Sequence, residues 1–182
     1  MMRVLIVFES MFGLTAALAE AVAAGLRGRG AEVSLLRAGA PGDHDLAGCD
    51  LLVLAAPTHA LTLSRPASRA DAVERGADEA AATTGIREWM AALDVAVTAD
   101  HRPVVAVFDT RARIARHWPG SAARATTRVM RGKGFDVRER ASFYVEDVTG
   151  PLLPGELERA HGWGRQLATD LRGSPVDRGA GA

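Results

Sequence analysis

The chain has 182 residues, 48% of them hydrophobic and 5% aromatic, and its 22 basic and 22 acidic residues give a formal net charge of zero. That length suits one domain, residues 1–172, with a sizeable core of Ala, Val and Leu, followed by a disordered tail over 173–182. No apolar run approaches the roughly 20 residues of a membrane span; Met1-Met2-Arg3 leads straight into an apolar strand without room for a signal peptide; and the single cysteine, Cys49, excludes an internal disulfide.

In chain order, Val4 to Phe8 is an unbroken apolar run, as in a strand covered on both faces. A helix follows from Thr15 to about Arg29, with Leu14, Leu18, Val22 and Leu26 along one face and Gly30 at its end. Glu32 to Arg37 alternates, as an outer strand does. Leu51–Ala56, Val104–Phe108 and Ala141–Val145 complete five predicted strands. Helices are predicted near Gly85–Leu93, Ser121–Arg131 and Gly155–Leu171, with a short surface helix within Arg69–Ala82. Strands alternating with helices predict an open, doubly wound α/β architecture around a parallel sheet.

Ligands of such sheets sit above the carboxyl ends of the strands. The loops after Phe8, Ala56 and Phe108 are therefore the ones to read. The first, Glu9-Ser10-Met11-Phe12-Gly13-Leu14-Thr15, joins a buried strand to an Ala-rich helix and so offers amides and hydroxyls at the positive end of a helix. It lacks the glycines of a dinucleotide fingerprint and the Lys of a nucleotide-triphosphate loop. No Lys or Arg lies between Val4 and Gly25, so an anion there must be held by hydroxyls, amides and the helix dipole.

This loop resembles the phosphate loop of the flavodoxin family, Ser/Thr-x-Thr-Gly-x-Thr: Ser10, Gly13 and Thr15 match, and Phe12 replaces the middle Thr. Pro57-Thr58-His59-Ala60 resembles the family's second loop, which lies against one face of the flavin. The resemblance implies a five-stranded flavodoxin-like sheet of order 2-1-3-4-5 with FMN at the switch point. It further implies FMN contacts from Ser10, Met11, Phe12, Gly13, Leu14 and Thr15, from Pro57, Thr58, His59 and Ala60, and from Asp109, Thr110 and Arg111. The family commonly stacks a Tyr on the ring from the third loop; none is present there, so Trp118 or His117 takes that place.

The implied function is electron transfer in the cytoplasm between FMN and a redox partner protein or small-molecule acceptor. Two alternatives stand beside it. One is a flavin-dependent NAD(P)H:quinone-type oxidoreductase, with Arg111 or Arg113 facing a cofactor phosphate. The other is a flavin-free interaction module, for which Phe12 and the missing Tyr argue.

Other classes find less support. Cys49 precedes a strand, at the wrong end for a nucleophile, and is expected to be a buried structural thiol. His44, His101 and His161 have no metal-ligand spacing. Ser10 has no neighbouring His in sequence to activate it. Trp89 and Trp163 are expected to anchor the core. From Arg111 to Arg140, nine basic residues (Arg111, Arg113, Arg116, Arg124, Arg128, Arg131, Lys133, Arg138 and Arg140) face only Asp136 and Glu139. That stretch is a solvated helix face or a docking face for an acidic partner or anionic substrate. It lacks the interleaved aromatics of a nucleic-acid-binding motif.

Overall fold

The computed structural model describes residues 1–94 and 102–173. His101 and residues 174–182 of the predicted 173–182 tail lie outside those residues, while Gly173 itself ends the last helix. Five strands, β1 (Arg3–Phe8), β2 (Glu32–Arg37), β3 (Leu51–Pro57), β4 (Val104–Ala112) and β5 (Val137–Val145), form one sheet. Every pairing is parallel and the order is β2-β1-β3-β4-β5, the order the sequence reading implied. The connections carry α1 (Leu14–Arg27), α2 (Pro66–Glu74), α3 (Ile86–Ala92) and α4 (Ala122–Gly132), and α5 (Glu156–Gly173) follows β5.

Alternation along each strand sends side chains to two separate cores. On one face Leu5, Val7, Leu52, Leu54, Val105 and Val107 meet Trp89 and Met90 of α3 and Met130 of α4. On the other, Val4, Ile6, Val53, Phe108 and Phe143 meet Leu18, Val22 and Leu26 of α1 and Ala160 and Leu167 of α5. Both expected tryptophan anchors are in place. Trp163 stands edge-on to Phe108 and Phe143 with ring centroids 5.9 and 6.1 Å away. Trp89 is fully buried, stacks on His44 at 4.7 Å and donates its Nε1–H to the Asp43 carbonyl. Cys49 is buried, as expected, and burial pushes its thiol pKa up to about 11.

Three element boundaries differ from the sequence reading, each for a physical reason. β4 runs on to Ala112 rather than stopping at Phe108, because Asp109, Thr110 and Arg111 are polar residues with partners inside the protein. β5 starts at Val137 rather than Ala141; it is an edge strand whose outward Arg138 and Arg140 resemble a loop in sequence. The Arg69–Ala82 segment is two pieces, α2 and a 3₁₀ turn at Glu79–Ala82, separated at Gly76 with φ 93°.

The outer edge of β5 is engaged by the chain that follows it. The Tyr144 amide donates to Glu156 Oε2, the Leu153 amide donates to the Tyr144 carbonyl, and Arg159 Nη2 donates to the Ser142 carbonyl.

α1 and α5 touch backbone to backbone. A Cβ on Gly164 would collide with the Val22 carbonyl, and one on Gly25 with that of His161. Helix propensity alone predicts that Gly164→Ala stabilises by about 1 kcal/mol. Overpacking against unyielding backbone works the other way by about 1–3 kcal/mol or more. We expect a net loss of stability in urea unfolding of Gly164→Ala; a gain would mean that the two helices can separate without penalty.

Candidate functional site

The loop from β1 to α1 turns at Gly13, whose φ of 82° favours glycine and where a Cβ would have no neighbour within 4 Å. The Ser10 hydroxyl accepts from the Ala16 amide at 3.2 Å, standing in for the side-chain cap that Gly13 cannot provide. Leu14 and Thr15 open the helix, so their amides have no intrahelical acceptor. With the helix dipole behind them, these N–H groups favour an anion above Gly13. The Thr15 hydroxyl, buried, lies 2.5 Å from the Thr110 hydroxyl of β4 and ties the loop to the sheet.

A brace for the loop comes from outside it. Arg37, the last residue of β2, donates from Nη1 to the Ser10 carbonyl at 2.9 Å and lies 3.7 Å from Asp78. Sequence reading of the loop alone missed it, since β2 reaches this point only through parallel pairing with β1. Phe12 and Met11 join a small apolar cluster with Ala72, Ala77 and Ala81. That packing is what the chain has in place of the family's middle hydroxyl.

After β3, the Thr58 amide donates to the Thr110 carbonyl. The Thr58 hydroxyl donates to Asp109 Oδ2 and accepts from the Ala122 amide. His59 and Thr62 exchange both backbone hydrogen bonds across a two-residue hairpin. Its tip, Ala60 and Leu61, has φ of 43° and 64°, values that a hairpin of this length requires and that glycine or Asn adopts more easily. Burial lowers the pKa of His59, and the charge of Arg69 adds to that effect. His59 is thus held neutral at pH 7.

Strand alternation separates the residues of the third loop. Thr110 faces the cleft. Asp109 and Arg111 point to the opposite face of the sheet. Asp109 is fully buried, and its Oδ2 accepts from the Ala123 amide at 2.9 Å as well as from Thr58. Arg111 is buried and its Nη2 donates to the carbonyls of Ala115, Trp118 and Gly120. It braces the loop from within. Trp118 is 50% exposed on that loop.

The cleft between these loops is an open groove rather than an enclosed cavity, with about 450 Å³ of space when the solvent at its mouth is counted. Of the residues expected there, Ser10, Met11, Phe12, Leu14, Thr15, Pro57, Thr58, His59 and Thr110 line it. Gly13, Ala60, Asp109, Arg111 and Trp118 do not. The structure adds an apolar wall of Ala112, Val145 and Val148. The apolar end of β5 carried a signal for Val145 in sequence, whereas nothing marked Val148.

Behind the phosphate-loop candidate lies a buried polar cluster that sequence reading did not foresee. Glu9 is 1% exposed; its Oε2 accepts from the Ile86 amide, and its Oε1 meets no hydrogen-bond partner. Arg69, equally buried, donates to the Ser64 hydroxyl and pairs with Glu88 at 3.1 Å. Gly85 lets them converge, since a Cβ there would come within 3 Å of Glu9, Arg69 and Ser64. Burial lifts the Glu9 carboxyl above its ordinary pKa of 4.5, outweighing the Ser64 and Ile86 hydrogen bonds and the Arg69 charge. Burial also pushes Glu88 up, but hydrogen bonds from Arg69 and the Gly85 amide hold it below the ordinary value.

No family model and no curated protein matches the sequence. Solved structures do. An archaeal flavodoxin superposes with a TM-score of 0.65 at 18% identity, over 94% of this chain and 99% of its own. Flavodoxin 2 from Bacillus cereus gives 0.64 at 17% identity, over 92% and 99%. A flavodoxin, WrbA-like protein from Agrobacterium tumefaciens gives 0.58 at 17% identity, over 94% and 98%. The chain has a flavodoxin-like fold. Among the described residues no helix is long and apolar enough to cross a membrane, and no group of three His, Cys, Asp or Glu could hold a metal ion.

The Glu9 cluster yields a pH prediction. The folded state holds the Glu9 proton more tightly than the unfolded chain does. Its contribution is therefore complete below about pH 4.5 and is lost as pH rises through the folded pKa. Glu9→Gln removes that loss. In urea unfolding from pH 4.5 upward, the stability of Glu9→Gln relative to the unmodified chain is expected to rise with pH. A constant difference would show that Glu9 has the same pKa in both states.

Proposed function

We propose that this chain binds FMN in the cleft at the β1/β3 switch point and serves in electron transfer. The observation that carries the reading is the uncommitted helix N-terminus. Two free amides and the Ser10 hydroxyl lie beside the open space at Gly13, and the Thr15 hydroxyl, tied to Thr110, lines the same cleft. This is a phosphate cradle on a fold shared with flavodoxins. Ser10 still has its own hydroxyl proton to donate to a ligand, since it only accepts from Ala16.

In this reading the Leu14 and Thr15 amides with Ser10 hold the phosphate, and Gly13 leaves room for it. Thr58, His59 and Thr110 offer polar contacts farther along the cleft. Ala112, Val145 and Val148 exclude water from the ligand's other flank. Bound FMN supplies the redox chemistry, so no catalytic acid or base is required of the protein. Neutral His59 can donate one hydrogen bond and accept another without bringing a charge to the flavin. The nicotinamide-dependent alternative receives no support from the arginines it invoked: Arg111 binds loop carbonyls and Arg113 pairs with Glu146 at 2.7 Å.

The test is the visible spectrum of the purified chain before and after addition of FMN and desalting. Retained flavin absorbance is expected. A chain that retains none has the fold without the cofactor, and the reading fails. Gly13→Val places a β-branched residue where φ is 82° and crowds the anion site. It is expected to weaken FMN binding by about tenfold or more in a fluorescence titration. Unchanged affinity would move the phosphate elsewhere.

A further inference from the structure

Resting on that reading, we infer that the surface of Ile114, Arg116, Trp118, Arg124 and Arg128 is a docking face for an acidic redox protein. This face has the sign opposite to that of a carrier that presents carboxylates to a basic partner.

The first support is where the charge lies. From Arg113 to Phe135 the chain has no acidic residue. Within this segment Arg113 is paired with Glu146, Arg131 binds the Val137 carbonyl and Lys133 the Leu93 carbonyl. Arg116, Arg124 and Arg128 are exposed and form no ion pair among the described residues. Arg116 lies 5.2 Å above the Tyr144 ring, which holds it in place without neutralising it.

The second support is that the placement is unfavourable for the helix itself. Ser121 caps α4 and accepts from the Arg124 amide, so Arg124 occupies the third helical position. Position three favours Glu or Gln, because the helix end is already positive. Arg128, one turn on, adds a like charge at i,i+4. A local rule broken on an exposed helix end without an internal partner points to use of the charge outside the molecule.

Apolar groups lie beside the charge. Ile114 is 78% and Trp118 50% exposed, on a loop that Arg111 fixes through three carbonyls. Interfaces concentrate energy in exposed Trp and Arg anchors of this kind, and guanidinium groups pair bidentately with carboxylates. The face adjoins the cleft. Ala122, the first residue of α4, donates to the Thr58 hydroxyl, and Ala112, two residues before Ile114, forms part of the cleft wall. Acids close to this face are engaged within the protein: Glu146 pairs with Arg113, Glu156 with Arg159, Asp109 accepts from Thr58 and the Ala123 amide, and Asp147 accepts from the Val148 amide.

The probe is an acidic [2Fe–2S] ferredoxin, with basic cytochrome c as the contrast. Binding is measured by surface plasmon resonance at about 20 and about 200 mM salt, where screening differs strongly. Both the chain as purified and the FMN-supplemented chain are used, so that docking is read independently of flavin retention. Ferredoxin is expected to bind at least tenfold more tightly at low salt than at high salt, and more tightly than cytochrome c. Arg124→Glu/Arg128→Glu should weaken ferredoxin binding at least tenfold, and Trp118→Ala should weaken it as well. Because Arg124→Glu improves the helix end, its thermal midpoint should rise while its binding falls, which separates lost docking from lost folding. Equal binding by the double variant, preference for cytochrome c, or retention only by phosphatidylserine vesicles or single-stranded DNA would each overturn the proposal.

Discussion

One carboxyl group organises the cleft. Asp109 Oδ2 receives both the Ala123 amide and the Thr58 hydroxyl, and Thr58 in turn receives the Ala122 amide. The loop after β3 and the first turn of α4 are thereby held to one strand, with an acidic group at the positive end of a helix. The loop after β1 is joined to the same strand one residue on, through Thr15 and Thr110. Successive residues of a strand face opposite ways, so Asp109 secures the far wall of the cleft while Thr110 secures the near one. Fully buried and with one oxygen lacking a partner, Asp109 is tolerated because the other oxygen satisfies two donors that would otherwise be orphaned.

The architecture was legible because the buried strands are apolar without interruption. Val4–Val7 and Leu51–Ala56 are covered on both faces, which leaves a continuous run in sequence. The phosphate-loop candidate was legible for a related reason: a strand, a small-residue turn and an Ala-rich helix are consecutive. The assignment of roles after β4 was harder. Asp109, Thr110 and Arg111 are adjacent in sequence, yet only Thr110 lines the cleft. Alternation could have separated them, had the strand been taken to continue beyond Phe108; their polarity argued against that. Val148 and Arg37 come from distant segments and carry no local motif. The Glu9–Arg69 cluster depends on an approach that only Gly85 permits, and composition does not encode such an approach.

The chain uses arginine in two distinct ways. Arg69 and Arg111 are buried and serve as multi-donor struts, one among carboxyl and hydroxyl groups and the other beneath three carbonyls. A planar guanidinium with five donors suits that work in a way an ammonium does not. Arg116, Arg124 and Arg128 remain at the surface. The basic stretch that looked uniform in sequence is thus divided by burial into internal scaffolding and external charge.

The interactions along β5 bear on what this protein can join. A lateral strand with open amides and carbonyls invites another chain to extend the sheet. Here Glu156 takes the Tyr144 amide, the Leu153 amide takes the Tyr144 carbonyl and Arg159 takes the Ser142 carbonyl. Arg138 and Arg140 project from the earlier part of the same strand, and a register shift interrupts its pairing with β4 between Val105 and Ala106. Templated aggregation through this flank is thereby discouraged on three counts: occupied hydrogen-bonding groups, repelling side chains and a broken repeat. The molecule can expose Ile114, Trp118 and Val148 at the carboxyl edge of its sheet without offering its flank as a seed for polymerisation.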